Sequence, residues 1–222
     1  LAGNTATSPT TVTPTDGVVP TVAVTMDDAT LNIGDTALVT FTFSEAPTGF
    51  TTADVTVGSG SIGAIDATNP LIQTAIYTPT TDVEDTSNVI SVNTGWTDAA
   101  LNTGIGDDSL NYTVDTIAPA TPVINTVATD DIINATERTA TVTVTGTNES
   151  GSTVTINGNS VTVDGSTWSY VLTAGAINAF NQGAETLTAV ATDVAGNTSS
   201  GTKDIAVDTI APVITRSGSS PV

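Results

Sequence analysis

The chain has 222 residues, with 23 Asp and Glu against 3 Lys and Arg, a net charge of −20, and neither Cys nor His. That composition excludes disulfide staples, thiol nucleophiles, zinc sites of the Cys/His type and every triad built on an imidazole. Such a charge also repels nucleic acid and anionic membrane, and it favours divalent cations.

Residues 1–15 contain a loop phrase, Ala2-Gly3-Asn4, and a strand-like stretch, 6–13. They read as the end strand of a preceding repeat or as a donor-like N-terminal strand. Short runs of alternating apolar and polar residues then predict strands at 21–25, 37–43, 89–92 and 110–114. A second set follows at 139–144, 153–156, 160–163, 168–172 and 187–191. Asn157-Gly158-Asn159 and Asp164-Gly165 are hairpin signals, and 174–180 suggests one helical turn. Hydrophobic residues make up 38% of the chain, enough for packed cores, and no apolar run reaches the ~20 residues of a membrane span. No membrane insertion is therefore expected. The start at Leu1 reads as that of an excised or processed segment.

One phrase occurs twice. Val114-Asp115-Thr116-Ile117-Ala118-Pro119 returns as Val207-Asp208-Thr209-Ile210-Ala211-Pro212, 93 residues later. Asp16-Gly17-Val18-Val19-Pro20 is a weaker copy, 99 residues before Asp115. Ala100-Leu101-Asn102 and Ala195-Gly196-Asn197 precede the two strong copies. A period of this length fits tandem sandwich domains. Proline stops strand pairing and biases the preceding residue to extended geometry, so the phrase reads as a short, stiff linker. The expected fold is all-β: two tandem immunoglobulin-like sandwiches in an extended arrangement. Domain 1 spans 16–115 and domain 2 spans 116–208. Residues 209–222 are a linker and the start of a following repeat. Trp96 and Trp168 are expected in the cores.

The acidic residues fall in predicted loops. In an immunoglobulin-like sandwich the loops between strands A and B, and between E and F, lie near the outgoing linker, so Asp27, Asp28, Asp82, Glu84 and Asp85 are expected to converge on Asp115. Glu149, Asp193 and Asn197 are expected to meet Asp115 from the second domain. The same logic gathers Asp130, Asp131, Asn134 and Glu137 near Asp208. Calcium takes six to eight hard oxygen ligands, which these clusters offer. There is no EF-hand loop and no glycine-rich calcium nonapeptide.

Residues 149–173 (ESGSTVTINGNSVTVDGSTWSYVLT), 191–201 (ATDVAGNTSSG) and the VDTIAP phrase resemble one subtype of bacterial Ig-like repeat. Residues 30–57 and 83–92 resemble another. Both subtypes are tandem repeats of large secreted, RTX-type biofilm adhesins. The resemblance implies an extracellular, cell-surface array, exported by a type I system and stiffened by calcium. Leu101 departs from the pattern, since that loop position is usually Gly.

The expected function is a structural extender that projects a distal binding domain, with neighbouring repeats as partners. A self-assembling filament subunit, joined by strand addition through residues 1–15, is the alternative. An enzyme is not expected: aromatics are 4%, and nucleophile motifs, phosphate loops and helix-borne metal motifs are missing.

Overall fold

The computed structural model describes residues 16–213. The strand expected within 1–15, and most of the following repeat, lie outside the described residues. The chain divides into two compact units between Thr116 and Ile117.

The first unit holds β1 (Val22–Met26), β2 (Thr30–Leu31), β3 (Ala37–Phe43), β4 (Val55–Val57), β5 (Gly60–Ile62), β6 (Asp66–Asn69), β7 (Ile72–Pro79), β8 (Glu84–Asn88), β9 (Ile90–Val92) and β10 (Tyr112–Asp115). One sheet runs β1-β3-β7-β5, with β6 also on β7; facing it are β2-β10-β8 and the pair β4-β9. All pairs are antiparallel except β2 with β10, which is parallel. Strict alternation in β3 buries Ala37, Val39, Phe41 and Phe43 and turns the residues between them outward. These side chains meet Tyr77, Ile90, Tyr112 and Val114 from the other strands. Trp96 is fully buried edge-on to Phe43, 5.1 Å between centroids, and its indole N–H donates to the Asn93 carbonyl.

The second unit holds β11 (Val123–Ile124), β12 (Ile132–Asn134), β13 (Val142–Thr147), β14 (Thr153–Ile156), β15 (Asn159–Ser160), β16 (Thr162–Asp164), β17 (Thr167–Leu172), α1 (Ala174–Asn178), β18 (Gly183–Thr192) and β19 (Thr198–Asp208). Its sheets are β11-β13-β17-β16 and β12-β19-β18-β14-β15. Here too the first strand of the second sheet, β12, lies parallel to the last, β19. Val144, Ile156, Trp168, Leu187, Ala189 and Val207 fill the core.

Several strands depart from the sequence reading. Glu84 and Asp85, expected in a loop, belong to β8, a polar strand at the margin of its sheet. β7 carries Gln73 and Thr74 amid its apolar positions, which hides its period. β19, the longest strand, alternates half-buried and exposed polar residues until Ile205, so it offers no apolar signal. β13 begins at Val142 because 137–139 form a 3-10 turn. The Asn157-Gly158 hairpin forms as the residues require: both take positive φ, 45° and 79°, as a two-residue turn of right-twisted strands needs.

Candidate metal centre

The first unit gathers carboxylates where the chain enters it. Asp16 opens the entry phrase, Glu45 stands two residues after β3, and Asp98 lies in the loop between β9 and β10. One carboxylate oxygen from each lies within 4.8 Å of the other two. Among the described residues this is the group of three acidic side chains held so closely.

The Asp98 loop is built by its own hydrogen bonds. Asp98 Oδ1 accepts from the N–H groups of Ala100 and Asn102, both at 2.8 Å, and Oδ2 accepts from the Asn102 side-chain amide at 2.7 Å. The Asp98 N–H donates to the Asn102 carbonyl at 3.1 Å. Closing this turn needs a left-handed residue at 101, and Leu101 adopts it, with φ of 71°, despite its side chain. Asn102 also donates to the Asp16 carbonyl at 3.3 Å, tying the entering chain to the loop.

Burial works against the charge on Asp98, which is 2% exposed, but its many donors outweigh that and hold its carboxyl below the usual range. Glu45 behaves oppositely. Desolvation, then the fields of Asp16 and Asp98, push its pKa up. Glu45 Oε1 is buried and accepts no hydrogen bond.

These residues fit a hard cation. Every donor is oxygen, and oxygens bound at about 2.4 Å to one calcium stand at most about 4.8 Å apart. A cation would satisfy the orphaned Glu45 oxygen and relieve the mutual repulsion of the three carboxylates.

The second unit repeats the parts. Asp193 Oδ1 accepts from the N–H groups of Gly196 and Asn197, both at 2.8 Å, and Oδ2 accepts from the Asn197 amide at 3.0 Å. Gly196 takes the left-handed position, φ 99°. Glu149 stands two residues after β13, as Glu45 does after β3, but its Oε2 accepts from the Ala120 N–H at 2.8 Å.

The other predicted ligands have local partners. Asp27 Oδ1 accepts from the Leu38 N–H and Asp28 Oδ1 from the Thr30 N–H, so both brace the turns around β2. Asp82 sits at φ 57° and lines a surface cavity of about 310 Å³ with Asp35 and Thr116. Glu84 lies directly opposite Asp115 in the β8–β10 ladder. Asp85 accepts from the Ser87 N–H and the Ser59 hydroxyl, which lower its pKa. In the second unit Asp130 accepts from the Ile132 N–H, and Asp208 accepts from the Ile210 N–H and pairs with Asn134 in register. Asp131 Oδ2 is 2.7 Å from Lys203 Nζ. Hydrogen bonding to Lys203 and to the Val127 N–H holds Asp131 below the usual carboxylate range.

Sequence reasoning missed Glu45, and missed that Asp16 and Asp98 belong with it. The signal was present. Asp16, Glu45, Asp98 and Asn102 stand in one repeat where Asp115, Glu149, Asp193 and Asn197 stand in the next.

The sheets, their facing cores and the parallel pairing of each unit's second strand with its last define an all-β protein of two immunoglobulin-like sandwiches. Residues 16–114 match the family model described as a bacterial Ig-like domain, and through this unit the chain belongs to that family. The chain is similar to a structure from a 1.5-MDa bacterial ice-binding adhesin, at 27% identity over 86% of this chain and 65% of that one, with a TM-score of 0.42. A bacterial immunoglobulin-like domain from the M. primoryensis ice-binding adhesin is 32% identical over 41% of this chain and 99% of its own, with a TM-score of 0.31. A Ca2+-stabilized adhesin that helps an Antarctic bacterium bind ice is 27% identical over 89% of this chain and 51% of its own, with a TM-score of 0.43. The chain thus spans about two thirds of the first of these structures and half of the last. No curated protein matches. No helix among the described residues is long and apolar enough to cross a membrane.

Proposed function

We propose that this chain is an extender segment of a bacterial cell-surface adhesin, working outside the cell as a spacer, with calcium stiffening the linkers between repeats. The observation that carries the calcium reading is the Glu45 carboxylate, whose Oε1 is buried without a hydrogen-bond partner and which groups with the carboxylates of Asp16 and Asp98 at the entry phrase. From their matching places in the second repeat, Asp115, Glu149, Asp193 and Asn197 are proposed as the corresponding ligands of the next linker. Glu84, opposite Asp115, and Asp82, which lines a cavity with Thr116, are proposed as further donors to that linker, and Asp208 with Asp130 as donors toward a following repeat. Asp131 contributes least, because Lys203 already neutralises it.

A cation bound only to the folded form stabilises it by RT ln(1 + [Ca]/Kd), about 2.7 kcal/mol at ~100 Kd. The extender role rests on the absence of a catalytic constellation from the sequence and on the repeat of one sandwich with its linker. The test is thermal melting and small-angle scattering with calcium and with chelator. Calcium is expected to raise the melting temperature and narrow the distribution of end-to-end distances. A chain indifferent to chelator in both measurements refutes the calcium reading.

A further inference from the structure

The residue that follows each strong linker aspartate is clamped, and the two clamps are made differently. In the first unit Thr116 is 6% exposed. Its N–H donates to the Val83 carbonyl at 2.7 Å, its hydroxyl donates to the Thr80 carbonyl at 2.8 Å, and the same oxygen accepts from the Val83 N–H at 3.0 Å. In the second unit the Thr209 N–H donates to Gln182 Oε1 at 3.1 Å. The Thr209 hydroxyl oxygen accepts from Arg138 Nη1 at 3.0 Å and from Gln182 Nε2. Arg138 is itself fixed, since its Nε donates to Asn178 Oδ1 at 2.8 Å at the end of α1.

A backbone loop holds one threonine and two side chains hold the other. Shared ancestry of the partners therefore does not explain the coincidence; the common element is the hydroxyl at one position of the phrase. A threonine whose amide and hydroxyl are both engaged cannot rotate freely, so the direction in which the chain leaves the sandwich is set there. One of only 3 basic residues in the chain serves this contact. The weaker phrase has Gly17 at the same position and no hydroxyl to hold.

We propose that Thr116 and Thr209 are latches that fix how the linker leaves each unit, without any metal. The proposal rests on the extender reading only for its use, not for its chemistry.

The test compares the full chain with its Thr116→Val and Thr116→Ser variants in chelator. The readouts are backbone order parameters at Ile117 and Ala118 and amide exchange at Val83. Valine keeps the shape and removes the hydroxyl. It is expected to drop the order parameters from about 0.85 toward 0.6 and to speed Val83 exchange roughly tenfold, while serine stays near the parent. Parent-like order parameters in a folded Thr116→Val chain overturn the proposal. If that variant does not fold, Arg138→Ala, read at Ile210, decides in the same way. Because chelator is present throughout, a failed latch leaves the calcium reading intact, and a calcium-insensitive chain leaves the latch intact.

Discussion

Two tryptophans in two units each lean on a glycine. A Cβ on Gly104 would stand 2.4 Å from the Trp96 ring, and one on Gly146 would stand 2.3 Å from the Trp168 ring and 2.0 Å from the Val123 carbonyl oxygen. Both contacts are far inside van der Waals range, so Gly104→Ala and Gly146→Ala must push the indole or the backbone aside. We expect each to cost about 1–3 kcal/mol, and Trp96→Ala about 3–5, read as a lower urea midpoint for the unit concerned. The burial of Trp168 was legible from its place in an alternating strand, and that of Trp96, which lies in a loop, from the bulk of its indole; the glycines were not, because nothing local marks a close approach. Glu45 yields a pH prediction. Its folded pKa is raised, so in chelator the first unit loses stability as pH climbs from about 4.3 through that raised value. Asp85, Asp98 and Asp131 are lowered, so their contribution is complete above about 3.9 and fades as pH falls through their folded values. Glu45→Gln should therefore melt above the parent near neutral pH in chelator, lose that advantage toward pH 3, and gain less from calcium. Melting curves across pH 3–7 check this, and a variant that melts below the parent at pH 7 in chelator contradicts it.

At the scale of elements, strands with a buried face announced themselves and strands with little buried surface did not. β3 and β14 were read to the residue from alternation alone. β8 and most of β19 were invisible, since their order comes from hydrogen bonding to a neighbour and not from a hydrophobic stripe. The candidate site suffered from the same blindness in another form. Its acids are far apart in sequence, and only the fold says that the turn after β3 shares a pole with the β9–β10 loop. The repeat could have said so, by aligning Glu45 with Glu149. The Lys203–Asp131 contact joins β19 to the turn before β12, where the Asp131 carbonyl also accepts from the Ala206 N–H at 2.8 Å. Lys203→Ala is expected to destabilise the second unit slightly at neutral pH, the difference fading as pH falls through the lowered folded pKa of Asp131. Salt should shrink the difference.

For the whole molecule, two separate cores mean two separate folding problems. Polypeptides 16–116 and 117–213 are each expected to unfold cooperatively as isolated chains, by circular dichroism in urea; a fragment that is unfolded in water contradicts the division. The parallel pairing of each unit's second strand with its last bears on what such a unit does under tension. β2 lies beside β10 over two facing positions, and β12 beside β19 over three. Pulling on both ends of a unit drags the one strand lengthwise past the other. The bridging hydrogen bonds then share the load and must yield together, whereas an antiparallel pair opened from one end would unzip bond by bond. In a stretched single molecule the first unit is therefore expected to rupture before the second, and a tether of such sandwiches would hold its length until a threshold force and then lengthen in steps.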